Sequence, residues 1–128
     1  MIVLDTHVWF WWIVSPDRLS NKALAEVESA TQIGLSSYST YELARAQATG
    51  RAELDRPDWI ERARRCDPRL VEIPVDSAIA MRSVELLRRG LTGDPGDQII
   101  LATAELAAAR LVTIDRRIRK FAPDQTIW

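Results

Sequence analysis

Ile2-Val3-Leu4-Asp5-Thr6-His7 sets a carboxylate directly behind three apolar residues. A short apolar run of this kind reads as a buried strand. Asp5 ends it at the rim of the core, where an unpaired charge is costly, so the charge calls for a partner or a ligand. The next run, Val8 to Val14 (VWFWWIV), is apolar throughout, and its periodicity does not separate strand from helix. A helix is expected, because Thr6 stands where a cap is needed and the following segment is itself helical in pattern.

Working outward, Ser20 opens a helix with Leu24 and Val27 facing inward. Gly34 reads as a break, with Ile33 to Ser36 as a second strand. Ser39-Thr40-Tyr41-Glu42 matches a capping box, in which Ser and Glu satisfy each other's backbone donors. That reading predicts a helix from Thr40 to Gly50 with Glu42 in its first turn. Asp55 and Pro57 open another helix through Arg65. Leu70 to Ile73 is a third strand. Asp76 caps a long helix stopped by Gly90. Leu91 to Gly96 reads as a loop, and Asp97 opens an Ala-rich helix to Ala109. Leu111 to Ile114 is a fourth strand, ended by Asp115. A short basic helix (RRIRKF) and an edge strand at Thr126 to Trp128 complete the chain. Strands alternating with helices imply parallel βαβ crossovers with helices on both faces of one sheet. The expected fold is therefore a three-layer α/β/α domain over residues 1–128. Its strands are short and apolar, as a doubly covered parallel sheet requires.

The 128 residues, 47% hydrophobic and 27% charged, suit one core without covalent staples. The single cysteine, Cys66, allows no internal disulfide and fits a reducing cytoplasm. No apolar run approaches the roughly 20 residues of a membrane span, and the N-terminus lacks the basic start of a signal peptide. A cytoplasmic protein is expected. The net charge of −1 argues against a strongly basic nucleic-acid binder. Local clusters escape that test: Arg116, Arg117, Arg119 and Lys120 can hold phosphates or form a solvated helix face. Trp9, Trp11 and Trp12 form core or, as bulky rings near one end, a partner surface.

The acids carry the functional signal. Asp5 and Asp115 each end a strand, and ligands of open α/β sheets bind beyond the carboxyl ends of the strands. Asp97 and Glu42 begin helices that connect to strands of the same sheet. These four carboxylates can converge on one sheet edge. Each has a plainer account: Glu42 as the acid of a capping box, Asp97 and Asp115 as helix caps. Their joint placement favours a site. Convergent carboxylates repel, and a hard divalent cation relieves the repulsion. Mg²⁺ or Mn²⁺ takes oxygen ligands, whereas zinc has no Cys/His cluster to bind here. Such an ion beside a phosphodiester activates water and stabilises the leaving oxygen. His7 is a candidate base, or a packed or solvated side chain. Thr6 and Thr113 are candidates to position water or a ligand.

The motifs resemble those of a known family. Ile2-Val3-Leu4-Asp5-Thr6-His7 looks like the opening motif of PIN domains, in the variant of VapC-like toxins. Leu35 to Ala44, centred on Glu42, resembles the second motif. Asp94 to Ala104 is similar to the third, and Leu111-Val112-Thr113-Ile114-Asp115 to the fourth. The resemblance spans the chain in order. It implies a PIN-like fold and a metal-dependent endoribonuclease acting as a homodimer, held in check by a cognate VapB-like antitoxin. It carries over Asp5, Glu42, Asp97 and Asp115 as the acidic metal site, with Asp94 as a candidate outer ligand. Two positions depart from the pattern: Gln98 stands where Arg is common, and Arg45 where Lys is common.

The expectation is thus Mg²⁺-dependent cleavage of RNA, with Mn²⁺ able to substitute and no side chain acting as nucleophile. Arg45, Arg116 and Arg117 are candidates for phosphate contact. The rival reading is a metal-binding interaction or regulatory module without nuclease activity. A response-receiver domain would need a Lys late in the sheet, and Lys22 and Lys120 are poorly placed for it.

Overall fold

A computed structural model describes residues 1–51, 65 and 67–128. Five strands form one parallel sheet: β1 (Ile2–Leu4), β2 (Ile33–Ser36), β3 (Leu70–Ile73), β4 (Arg110–Val112) and β5 (Thr126–Ile127). Their spatial order is β3-β2-β1-β4-β5, so the first strand lies at the centre. The described helices are α1 (Thr6–Val14), α2 (Asn21–Ser29), α3 (Ser37–Ala48), α4 (Ser77–Arg88), α5 (Pro95–Leu106) and α6 (Arg116–Phe121). The helix expected over residues 55–65, apart from Arg65, and the thiol of Cys66 lie outside the described residues.

Strand alternation builds two cores. Ile2, Leu4, Ile33, Leu35 and Val112 point to one face, where Val8, Trp9, Ala23 and Val27 of α1 and α2 cover them. Val3 and Leu111 point to the other, under Ile79 and Leu86 of α4 and Ile100 and Leu101 of α5. Ile118 of α6 joins this second core. Helices on both faces make the three layers that the alternating sequence implies. No described helix is long and apolar enough to cross a membrane.

Several local expectations are corrected. Gly34 lies inside β2 rather than breaking the chain. A Cβ there would stand 2.9 Å from Ile73 Cδ1 and 3.1 Å from Val3 Cγ2, so glycine lets neighbouring strands fill that face. Strand β3 is not doubly covered: Val71 and Glu72 are exposed at the sheet edge. The fourth strand ends at Val112, before Thr113 and Ile114. Trp9 is fully buried, because the α1 face it occupies packs on β1 and β2. It therefore offers no surface to a partner. Trp11 and Trp12 are only partly buried.

Candidate active site

The sheet order places a topological switch point beside β1. The chain leaves β1 for β2 on one side and later crosses to β4 on the other. A crevice opens at such a point beyond the carboxyl ends of the strands. The backbone pairing runs one residue past the strands: Asp5 N donates to Val112 O at 3.0 Å, and Thr113 N to Ile127 O at 3.1 Å. Asp5 is thus pinned at the mouth of the crevice and is itself buried.

Thr113 is fully buried and donates to Asp5 Oδ2 at 2.5 Å. Its oxygen also accepts the Asp115 N–H at 3.0 Å, so one hydroxyl couples two of the acids. Asp115 caps α6 as expected, with Oδ1 accepting from the backbone of Arg117 and Ile118. Its Oδ2 lies 3.7 Å from the Arg117 guanidinium.

Two helix starts differ from expectation, and both differences release an acid for the site. Asp94, not Asp97, caps α5: Asp94 Oδ1 accepts from Gly96 N at 2.8 Å, and Pro95 opens the helix. Asp97 is then the third helical residue, and its Oδ2 takes a 2.7 Å bond from Arg117. A Cβ on Gly96 would meet the Tyr38 ring at 2.6 Å, so glycine lets α3 close on the start of α5. The second case is α3, capped by Ser36 rather than Ser39. The capping box does not form, and Glu42 falls in the second turn instead of the first. Its carboxylate turns to the Thr6 hydroxyl, which donates to Oε2 at 2.5 Å. Thr6 is the first residue of α1 rather than its cap, and its oxygen also lies 2.9 Å from Ser39 Oγ. Ser39 is buried in this network, a role that its match to a capping box conceals in the sequence.

Electrostatics tie the acids together. Burial raises the Asp97 carboxyl to about 6; the Asp115 charge adds to this, Arg117 opposes it, and Asp5 and Asp94 add further. Burial likewise raises Asp5, against the hydrogen bond from Thr113, with a further push from Asp115. Glu42 is raised by burial, against Thr6, with Asp5 and Asp94 adding repulsion. The cluster holds excess negative charge, and the guanidinium of Arg117 is the cation set among its acids.

The donor set is all oxygen and electron-rich, which suits a hard divalent cation in chemistry. Among the described residues no three acidic or histidine side chains are set to grip an ion in their present rotamers. Each carboxylate instead rests on Thr113, Thr6, a helix start or Arg117.

The remaining candidates divide. Arg45 lines a groove of about 650 Å³ with Glu42, Thr6, His7 and Trp11, adjoining the acids. His7 is exposed there, 6.0 Å from the Trp11 ring, and is no core residue. Arg116 does not face the acids; it lines a separate depression with Lys22, Arg119 and Lys120. Gln98 is buried and donates to Leu91 O at 2.9 Å, so it fastens the loop before α5 rather than reaching outward.

With this geometry in view, residues 2–123 match the PIN domain. The chain belongs to the PIN-domain family. It is 32% identical to Ribonuclease VapC22 of Mycobacterium tuberculosis over a 131-residue alignment, covering 99% of this chain and 98% of that one. Solved structures share the PIN fold at lower identity. A toxin–antitoxin complex from Klebsiella pneumoniae matches with TM-score 0.70 and 21% identity, covering 100% of this chain and 97% of that one. FitAcB from Neisseria gonorrhoeae matches with TM-score 0.66 and 21% identity, over 98% and 96%. VapBC2 from Rickettsia felis, bound to a DNA fragment from their promoter, gives TM-score 0.67 at 21% identity, over 94% and 93%. In this PIN domain the four acids singled out by the sequence all come from the carboxyl end of the sheet or from helix turns beside it.

Proposed function

We propose that this PIN domain is a Mg²⁺-dependent endoribonuclease, the toxin of a toxin–antitoxin pair acting in the cytoplasm. The observation that carries the reading is the gathering of Asp5, Asp97 and Asp115 at the β1–β4 switch point, where burial first, and the neighbouring acids second, lift the Asp97 carboxyl to about 6. The likeness to a protein named a ribonuclease, over nearly the full length of both chains, supports RNA as the substrate.

Asp5, Asp97 and Glu42 would hold Mg²⁺, or Mn²⁺ in its place, directly or through water, with Asp115 completing the site. The bound ion would lower the pKa of a water and stabilise charge on the leaving oxygen. Thr113 fixes the Asp5 carboxylate and, through its oxygen, the backbone of Asp115. Thr6 does the same for Glu42. Asp94 lies outside this set, fixing the start of α5, with its charge felt at Asp97. Arg117, once released from Asp97, would receive a phosphate oxygen, and Arg45 flanks Glu42 from the groove.

Toxin–antitoxin complexes among the fold's relatives support a VapB-like antitoxin partner. An antitoxin segment with an apolar face would pack on Phe10 and Trp11 in the groove and bring a basic side chain towards Glu42. Exposed Met81, Val84 and Leu87 on α4, with Leu106 on α5, support a two-fold dimer. The direct test is incubation of purified protein with single-stranded RNA. Cleavage should stop in EDTA and return with Mg²⁺ or Mn²⁺. Absence of cleavage in every metal, by folded protein, would leave a binding module without nuclease activity.

A further inference from the structure

The outer face of α6 is not used by the acidic site. Within this six-residue helix, Arg117 turns to Asp97 and Asp115, and Ile118 enters the core. Arg116, Arg119 and Lys120 fall at positions i, i+3 and i+4, one helix face. They line a depression of about 490 Å³ together with Lys22 of α2 and Trp128 after β5.

Two features set this depression apart: among the described residues its lining gathers cations and no acidic side chain, whereas Arg18, Arg45 and Arg51 share their groove with Glu42 and Asp94, and an aromatic ring stands among those cations. Arg69, Arg82, Arg89, Arg110 and Arg117 each meet a carboxylate. Lys22, Arg116, Arg119 and Lys120 form no ion pair among the described residues, although the chain as a whole is acidic by one charge. Four like charges around one concavity repel unless a polyanion enters. The second feature is the ring in their midst. Trp128 is partly buried and braced by Trp11, with ring centroids 6.3 Å apart. Cations beside a held aromatic ring are the pairing that binds single-stranded nucleic acid, phosphates on the charges and a base on the ring.

We infer that this depression is a second RNA subsite, which holds the strand flanking the cleaved phosphate: Lys22, Arg116, Arg119 and Lys120 take phosphates and Trp128 stacks a base. It rests on the ribonuclease reading above. Arg116 follows Asp115 in the chain, so the basic face of α6 begins one residue from the acidic site, and a single strand would reach from one to the other. The subsite supplies affinity without base-edge recognition, because phosphate contacts and stacking are tolerant of sequence.

The test is anisotropy of a fluorescein-labelled single-stranded oligouridylate bound to full-length Asp5→Asn protein in Mg²⁺, titrated over a range of KCl. Arg119→Gln with Lys120→Gln should weaken binding about tenfold. It should also flatten the slope of log affinity against log salt by roughly 0.7 for each phosphate that is no longer neutralised. Trp128→Ala should weaken binding by a similar factor and leave the slope unchanged. Arg82→Gln, an arginine paired with Glu85 and Glu105 away from α6, should alter neither. Thermal melts verify that every variant is folded. The subsite is overturned if the parent protein does not bind the probe, if the double variant keeps affinity and slope, or if Arg82→Gln matches it. It is equally overturned if the double variant keeps the RNA probe but loses polyglutamate, which would assign the surface to an acidic protein segment. Loss of RNA binding in the double variant, with no cleavage by the unaltered protein, would instead sink the ribonuclease reading and leave the subsite standing.

Discussion

Replacing Asp97 by Asn removes one charge from the acid cluster and leaves the side chain's shape. The Asp97 carboxyl stands at about 6 against an ordinary 3.8. At 1.36 kcal/mol for each pH unit, that difference is roughly 3 kcal/mol of unfavourable charge at pH 8. Solvent screening at this partly exposed position reduces it to about 1–2 kcal/mol. The value of about 6 is already net of the opposing pull of Arg117, so giving up the exposed bond to it costs at most a further fraction of about 1 kcal/mol. The metal-free variant should therefore be as stable as the parent or more so, by up to about 1 kcal/mol. For a domain of this size that is a rise in Tm of roughly 3–6 °C. The sign with pH follows from the raised carboxyl: the folded parent binds a proton more tightly than the unfolded chain. Its penalty is full above about 6, shrinks as pH falls through that value, and vanishes below the ordinary 3.8. The gap between the proteins should be widest near pH 8 and close towards pH 4. Metal should act in the opposite sense. At ten times its dissociation constant an ion bound only by the folded parent adds about 1.4 kcal/mol, roughly 4–8 °C in Tm, and the variant should gain little. Thermal melts of both proteins in EDTA and in Mn²⁺, from pH 4 to 8, decide the matter. An equal metal response, or an Asn protein clearly weaker than the parent in EDTA at pH 8, would show that Asp97 neither binds the ion nor carries unfavourable charge.

Other outcomes follow from the same contacts. Thr113→Val removes the hydroxyl that donates to Asp5 and accepts from Asp115 N, so stability at pH 8 should fall by about 2 kcal/mol. Cleavage should fall about 10–100-fold if Asp5 holds the ion; wild-type activity in a destabilised variant would make Thr113 purely structural. Gly96→Ala drives a methyl against the Tyr38 ring and should cost about 1–3 kcal/mol by denaturant melts, with no loss expected only if α3 can move away. Met81→Glu places a charge amid the exposed apolar residues of α4; light scattering should show a dimeric parent become monomeric, and an unchanged mass would move the interface elsewhere.

The sequence made the frame legible where one residue type admits one reading. Asp5 after Ile-Val-Leu, Asp76 before a long amphipathic run and Asp115 before RRIRKF each end or start an element as read. Where several caps compete within a few residues, the choice is decided by packing. In Ser36-Ser37-Tyr38-Ser39, the end of β2 makes Ser36 the cap, and burial against Thr6 takes Ser39. In Asp94-Pro95-Gly96-Asp97, the proline already marks Asp94 as the cap, since proline favours the first helical position. The run VWFWWIV hides which tryptophan turns inward, because continuous apolarity carries no period; the fold buries Trp9. The pairing of Arg117 with Asp97 spans 20 positions and leaves no local trace. Nor does Lys22 joining the α6 cations, since α2 and α6 meet only in the folded chain.

On the proposed function, Asp5, Asp97, Asp115 and Glu42 hold a divalent ion that activates water against an RNA phosphodiester, and the chemistry of the cut ends reports the identity of that nucleophile. Water as nucleophile leaves linear phosphate and hydroxyl ends, whereas attack by the neighbouring 2′-hydroxyl leaves a 2′,3′-cyclic phosphate. End analysis of RNA cut by the parent protein in Mg²⁺, with Asp5→Asn and EDTA alongside, should give linear ends from the parent alone. Cyclic phosphate ends, or cutting that persists in EDTA and in Asp5→Asn, would contradict it.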